Sequence, residues 1–264
     1  MLLDMKYPVL LLAISAMSLT AQFAAPVWRG SEGSTHAEWD VFTEPKFEPN
    51  SPDVSTDDAT IVCTTGSAFL TGTGNIYSFQ APTFFQLDDF VDGSVTNVYL
   101  QIESLGSSVE VDTASLIYTP VGGETVSVAP RLAAVACEEE LTGPNGGIGT
   151  VYLFQWDLRE NPISDSYTIL FNAASSSLSL DKVSLDTSPE YVEIPEPKPL
   201  SVEIVAGEVL VSWSCAGQLQ SSTTLQNDSW SDVAETAGKK SITLPLSPTP
   251  VFFRLRAEVE VEPS

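Results

Sequence analysis

The stretch that decides the fold opens with VYLFQWDL at Val151–Leu158 and closes with LSLDKVSLDT at Leu178–Thr187. The first run is apolar on both faces at its start, which predicts a central strand of a β-sandwich. In the second run a step of three residues interrupts the alternation, so we expect a β-bulge around Asp181 and Lys182. Together with Tyr167–Asn172, which lies between them, these runs predict consecutive strands of an all-β protein.

Strand signals continue through the rest of the chain, where short β-branched and aromatic runs are separated by Gly, Pro, Asn, Asp and Ser. Asn97–Ser104 alternates most clearly, and we expect an antiparallel strand that is buried on one face only. Arg131–Leu141 fits either a helical turn or a strand. Further predicted strands are Ile76–Phe79, Leu116–Tyr118 and Thr125–Val128.

The N-terminus has the layout of a secretory signal peptide, with Lys6 before an apolar core at Tyr7–Leu19. Small residues follow the core, so we place the signal peptide at residues 1–24 and its cleavage between Thr20 and Ala25. The apolar core is shorter than the roughly 20 residues that span a bilayer. The processed chain is therefore predicted not to be an integral membrane protein.

Four prolines between Pro189 and Pro199 favour an extended, semi-rigid linker. We therefore predict a β-sandwich domain at residues 25–188, a linker at 189–200, a small β domain at 201–258 and an acidic tail at 259–264. The strands predicted in the small domain are SVEIVA, EVLVSW, GQLQSS, KSITLPL and FFRLRAE.

Charge and cysteine content limit the partners and the compartment. The chain has 35 acidic and 11 basic residues, a net charge of −24, which disfavours binding to nucleic acid and to anionic membranes. Three cysteines in an exported chain allow one disulfide. We favour Cys63 with Cys137 because both lie in the larger domain, and we expect Cys215 to be a small buried thiol.

The sequence lacks the usual signatures of catalysis. His36 is the only histidine, which excludes a zinc site with two or three histidine ligands, and we expect it to be a surface residue. No GxSxG, Walker-type or strand-GxGxxG-helix motif occurs. We therefore predict no catalytic residue, no cofactor and no metal site, and we do not expect an enzyme.

Three weaker possibilities stay open at the level of the sequence. Paired carboxylates could hydrolyse glycosides, carboxylates near turns could bind calcium, and aromatic side chains could stack on sugars, although the aromatic residues fit a core equally well. Asn227-Asp228-Ser229 also matches a glycosylation acceptor. The candidates are Asp157, Glu160 and Asp181 for hydrolysis; Asp88, Asp89, Asp92, Asp181 and Asp186 for calcium; and Trp28, Trp39, Tyr77, Phe84 and Phe85 for sugars.

Several stretches resemble those of an uncharacterised family of secreted proteins from environmental Gram-negative bacteria. They are WRGSEGSTHAEWDVF at Trp28–Phe42, GGIGTVYLFQWDL at Gly146–Leu158 and SLSLDKVSLDT at Ser177–Thr187. The resemblance implies a jelly-roll-like, galactose-binding-like sandwich. The small domain, with LVSW, LQSS and FFRLR, is similar to fibronectin-III-like C-terminal modules of bacterial surface proteins. The chain ends in VEVEPS, unlike family members that carry a C-terminal sorting helix.

These observations lead to one principal expectation and two alternatives. We expect an exported, non-catalytic structural or adhesive protein of the bacterial envelope or extracellular matrix, secreted or at the cell surface. The first alternative is a carbohydrate-binding module, and the weaker one is a glycoside hydrolase with paired carboxylates. The expected partners are polysaccharide or envelope components.

Overall fold

The computed structural model describes residues 23–140, 147–197, 200–213, 218–226, 229–234, 236 and 239–256. Within these ranges the regular structure is β, apart from one short 3-10 turn at Val111–Thr113, which confirms the all-β prediction. The core of the predicted signal peptide, the acidic tail, Cys215 and Asn227-Asp228 lie outside the described residues.

The strands are β1 (Thr35–Trp39), β2 (Val54–Ser55), β3 (Thr60–Cys63), β4 (Phe69–Leu70), β5 (Ile76–Tyr77), β6 (Phe84–Phe90), β7 (Asn97–Gly106), β8 (Ser115–Tyr118), β9 (Val126–Val128), β10 (Leu132–Glu140), β11 (Ile148–Asp157), β12 (Ser166–Asn172), β13 (Leu178–Ser188), β14 (Leu200–Val205), β15 (Glu208–Trp213), β16 (Gln218–Ser222), β17 (Ser231–Asp232), β18 (Ser241–Pro245) and β19 (Phe252–Arg256).

Two antiparallel sheets form the larger part of the described chain. An eight-stranded sheet has the order β10-β11-β7-β13-β1-β2, with the β4–β5 hairpin attached to β13. A five-stranded sheet has the order β3-β6-β12-β8-β9. The strand that contains VYLFQWDL, β11, lies between β10 and β7, which confirms its predicted central position. For the segment predicted at Arg131–Leu141, the described residues 131–140 contain the strand β10 and no helical turn.

The two sheets bury one shared core because alternate residues of each strand face the opposite sheet. From the larger sheet, Leu100, Phe154 and Trp156 are fully buried, and Leu87 and Ile169 come from the smaller one. Burial of such large side chains is the main stabilising term of a sandwich. The largest fully buried side chains are Trp39, Trp156, Tyr152, Phe42, Phe154 and Phe171.

The predicted bulge is present in β13. Its pairing with β7 shifts register between Leu180 and Lys182, so that Asp181 is the extra residue. The carboxylate of Asp181 accepts a hydrogen bond from the Asn75 side-chain amide at 2.5 Å. The bulge thus fastens the β4–β5 hairpin to the main sheet.

The outer face of the larger sheet is covered, which the sequence did not predict. Residues 97–104 of β7 are buried on both faces, so the expectation of a strand buried on one face is wrong. The reason is that Phe23 and Trp28 from the N-terminal segment, and Val192 and Ile194 from the proline-rich segment, pack on that face. The strand β7, which was predicted to be solvated on one face, is therefore interior.

The proline-rich segment is held to this face by polar contacts as well. The side-chain amide of Gln155 donates to the carbonyl of Val192 at 2.7 Å and accepts from the backbone N–H of Ile194 at 2.9 Å. The guanidinium groups of Arg131 and Arg159 lie over the ring of Tyr191 at 5.6 and 4.3 Å. The segment is therefore docked on the sheet as far as Ile194.

The favoured disulfide between Cys63 and Cys137 is wrong. Cys63 is a free thiol that points into the core between the two sheets. Cys137 is disulfide-bonded and lies on the outer face of the larger sheet, beside Val151. A whole sheet separates the two sulfurs, and a disulfide requires Cβ atoms about 3.8 Å apart.

Alkylation should distinguish these two cysteines. In protein that is unfolded without reductant, iodoacetamide should modify Cys63 and leave Cys137 unmodified until a reductant is added. In the folded protein Cys63 should resist labelling, because its burial raises the pKa of the thiol. Peptide mapping would contradict this arrangement by recovering a Cys63–Cys137 disulfide peptide.

Residues 200–256 contain two three-stranded antiparallel sheets, β14-β15-β18 and β17-β16-β19. They share a separate core centred on Val211, Trp213 and Leu219. The five strands predicted for this region correspond to β14, β15, β16, β18 and β19. In the described part of the chain, no helix is long and apolar enough to cross a membrane.

Candidate functional site

The outer face of the five-stranded sheet is open to solvent along β6 and β12. Alternate residues of β6 and β12 point outward and are partly or fully exposed, whereas their neighbours are buried in the core. One row of outward residues runs across four strands through Thr60, Asp88, Thr168 and Ile117. This alternation is typical of a sheet with one solvated face.

A groove of about 480 Å³ lies on this face at the end of the row. Hydroxyl groups, carboxylates and one exposed aromatic ring converge in it, because β6, β8 and β12 bring their outward residues to the same edge. Phe90 is 65% exposed, which leaves its ring available to a ligand. The lining residues that matter most are Thr60, Asp88, Phe90, Ile117, Ser166 and Thr168.

Asp88 is the oriented acceptor of the groove. One carboxylate oxygen accepts a hydrogen bond from the Thr168 hydroxyl at 2.6 Å, and the other accepts from the Gln86 amide at 2.8 Å. Each carboxylate oxygen can accept a second hydrogen bond, so a ligand hydroxyl can still bind there. The two protein donors fix the carboxylate in one orientation, which lowers the entropy lost on binding.

Asp89, the next residue, points the other way and is buried under the groove. Its carboxylate accepts from the Tyr167 hydroxyl at 2.7 Å and from the backbone N–H of Phe90 at 2.8 Å. Burial, followed by the nearby charge of Asp57, raises the pKa of Asp89 to about 7. Asp89 therefore lies on the buried side of β6, where its ionisation costs stability, and it does not face a ligand on the open side.

The carboxylates considered for calcium do not converge. Asp88 and Asp89 lie on opposite faces of β6, Asp181 is bonded to Asn75, and Asp186 is bonded to Arg29. Among the described residues, no group of three or more His, Cys, Asp or Glu side chains is arranged to hold a metal ion.

Of the three acids considered for glycoside hydrolysis, two lie at one cavity, and the third, Asp181, lies apart from them. Asp157 and Glu160 line a cavity of about 590 Å³. Bidentate hydrogen bonds from Arg159, at 2.8 and 2.6 Å, lower the pKa of Asp157, which makes it a poor proton donor. Asp157 aligns through β7 with Ser188 on β13. Asp181 lies seven residues earlier on that strand, about 20 Å away at the usual rise per residue.

His36 belongs to a charged cluster beneath the N-terminal segment and is not on the surface as expected. Its Nδ1 lies 3.4 Å from Asp186, and its Nε2 lies 3.3 Å from Glu38. Arg29 donates two hydrogen bonds to the fully buried Asp186, at 2.7 and 2.8 Å, and one to Glu38 at 3.0 Å. Burial nevertheless raises the pKa of Asp186. The cluster anchors the N-terminal segment.

Most of the aromatic residues proposed to stack on sugars are core residues. Trp28, Trp39 and Phe85 are buried, and only Phe84 and the partly exposed Tyr77 reach the surface. The exposed rings that the sequence did not single out include Phe69, Phe79 and Phe90, and also Phe47 and Phe252. Strand phase could have identified Phe90, since it follows Phe84 by six residues on β6 and so shares its face.

Comparison with known proteins adds no assignment. No protein-family model matches the chain, and neither the curated proteins nor the solved structures include a significant match.

Proposed function

We propose that this protein is an exported, non-catalytic structural or adhesive protein of the bacterial envelope or extracellular matrix, and that its open five-stranded face binds neutral polysaccharide. The observation that carries the proposal is the groove, in which a fixed carboxylate, several hydroxyls and the exposed ring of Phe90 lie together. Polar groups that converge around an apolar surface are typical of small-ligand sites. This function joins the principal expectation with its carbohydrate-binding alternative.

The strand order supports the finer fold assignment. Successive strands β6, β7, β8 fall alternately in the two sheets, as do β11, β12 and β13, which is the pattern of a jelly roll built from two Greek keys. In residues 200–256, β14, β15 and β18 form one sheet, and β16, β17 and β19 form the other. This is the distribution of strands in a fibronectin-III-like module. We therefore retain the proposed family resemblance and compartment.

The domain division is retained with one change. Because Val192 and Ile194 pack on the outer face of the larger sheet, we place the end of the sandwich domain after Ile194 and not at residue 188. The rest of the linker and the small module follow. Under this proposal the signal peptide exports the chain and the acidic surface keeps it apart from anionic polymers.

A double variant, Asp88→Asn with Thr168→Val, tests the groove. It removes the oriented charge and one hydroxyl while keeping both side-chain shapes, so we expect at least about tenfold weaker polysaccharide binding, the effect of losing hydrogen bonds to a charged group. Affinity gel electrophoresis in hydroxyethylcellulose, mannan or laminarin measures it. The matched control is Asp112→Asn, an exposed acid outside the groove. Equal retardation of the double variant and the wild type would count against the groove.

A further inference from the structure

The β4–β5 hairpin carries three aromatic rings in mutual contact on the surface. Phe69 and Phe79 are stacked with their centroids 5.5 Å apart, and Tyr77 contacts both rings edge-on, at 5.5 and 4.5 Å. Phe69 is 39% exposed and Phe79 is 67% exposed. The opposite face of the hairpin supplies Ile76 to the core, so the core does not require these rings. We call them the hairpin platform.

The hairpin platform rests on a backbone that is held at both ends. Tyr77 pairs with Ser179 of β13. Across the turn, the backbone N–H of Thr71 donates to the carbonyl of Asn75 at 2.9 Å. The carbonyl of Gly74 accepts from the backbone N–H of Phe42 at 3.0 Å. The rings are therefore ordered before any ligand arrives, which lowers the entropy lost on binding.

Hydrogen-bonding groups lie beside the rings. The hydroxyls of Thr71 and Thr73 bond to each other at 3.0 Å in the exposed turn, and the Asn75 amide bonds to Asp181. Asn75 and Phe79 each lie two residues from Tyr77, the spacing that places side chains on one side of a strand. An apolar platform bordered by the threonine hydroxyls of the turn can pack against the apolar face of a sugar ring and hydrogen-bond to its hydroxyl groups.

The size of the platform favours a saccharide over a protein. Rings of this exposure offer roughly 200–250 Å² of apolar surface, whereas a standard protein interface buries about 800 Å² on each partner. The net charge of −24 disfavours uronic or sulfated polymers. A neutral sugar is the occupant that area and charge both fit.

We propose that the hairpin platform is a second saccharide-binding site, on which Phe69 and Phe79 stack against the ring of a neutral polysaccharide. This inference rests on the proposed function and adds a site on a different sheet from the groove. Two sites on one chain would let a single polymer bind with increased avidity if it can reach both.

The test compares Phe79→Ala, the double variant Phe69→Ala with Phe79→Ala, and Phe79→Leu by affinity electrophoresis in hydroxyethylcellulose, mannan and laminarin. Losing one exposed ring should weaken binding about tenfold. Phe79→Leu keeps the apolar character without the flat ring, and it should lose most of the same binding. Phe252→Ala, which removes a phenyl group with the exposure of Phe69 from the small module, is the control and should bind like wild type. Thermal unfolding checks that every variant is folded.

The outcomes separate the inference from the proposed function. If the ring variants bind within twofold of wild type while the groove variant loses binding, the platform proposal is overturned and the proposed function stands. If Phe79→Leu binds like wild type while Phe79→Ala does not, a general apolar contact replaces sugar stacking and the proposal also fails. Absence of binding by the wild-type protein to every neutral polysaccharide would overturn both.

Discussion

Replacing Asp89 with asparagine is expected to raise the free energy of unfolding by up to ~4 kcal/mol at pH 8 and to change it little at pH 4. Burial raises the pKa of Asp89 from its ordinary 3.8 to about 7 in the folded protein. The folded state therefore holds this proton more tightly than the unfolded state. Below about pH 4 Asp89 is protonated in both states and costs no stability. As the pH rises from about 4 to about 7, the free energy of unfolding falls, because the unfolded state releases this proton first.

Asparagine avoids that loss because it stays neutral at every pH in this range. Its side-chain oxygen can accept from the Phe90 N–H and its amide can donate to the Tyr167 hydroxyl, so a hydrogen bond remains at each position, with the one to Tyr167 reversed in direction. Urea unfolding of the wild type and the variant at the two pH values measures the difference.

A control variant separates this effect from a general change in charge. Asp92→Asn removes an exposed carboxylate close in sequence and should change stability by less than about 0.5 kcal/mol at both pH values. A destabilised Asp89→Asn variant at pH 8, or an equal effect at pH 4 and pH 8, would show that burial does not raise the pKa of Asp89.

Removing Arg29 should destabilise the protein by about 3–5 kcal/mol, the usual effect of leaving one member of a buried ion pair without its partner. Arg29→Met keeps the length of the side chain but leaves Asp186 buried without its two hydrogen bonds from the guanidinium. The N-terminal segment that covers the larger sheet also loses its main anchor. Urea unfolding at pH 7 measures the change.

Two further variants make this prediction specific to the buried pair. Arg131→Met breaks exposed ion pairs with Asp157 and Glu193 and should cost no more than about 1 kcal/mol. Arg29→Met combined with Asp186→Leu removes both charges and should recover much of the lost stability. Equal losses for Arg29→Met and Arg131→Met would mean that Asp186 is not an uncompensated buried charge in the variant.

The sequence predicted the features of the fold that depend on local alternation. The central position of β11 and the bulge at Asp181 follow from the period of two, because alternate side chains of a strand face opposite sides of the sheet and this alternation is visible in the sequence. The alternation did not predict that the N-terminal and proline-rich segments cover the outer face of the larger sheet. Trp28 and Ile194 lie in segments outside the strands, and no local pattern indicates on which face of a sheet such segments dock.

The same limit explains the errors at the cysteines and the aromatic residues. Cys63 and Cys137 are in one sandwich but on opposite sides of a sheet, and only the topology shows this. Trp39 was a candidate for sugar stacking because its residue type suits that role, yet it is fully buried and its indole N–H donates to the carbonyl of Asn50. Burial, rather than residue type, separates a platform from a core.

The most direct test of the proposed function is migration of the wild-type protein through native gels that contain a neutral polysaccharide, with reducing ends assayed in the same samples. The proposed function predicts retarded migration in at least one of hydroxyethylcellulose, mannan or laminarin, weaker retardation of the Asp88→Asn, Thr168→Val variant, and no new reducing ends. Unretarded migration in all of these polysaccharides, or a release of reducing ends that accompanies binding, would contradict it.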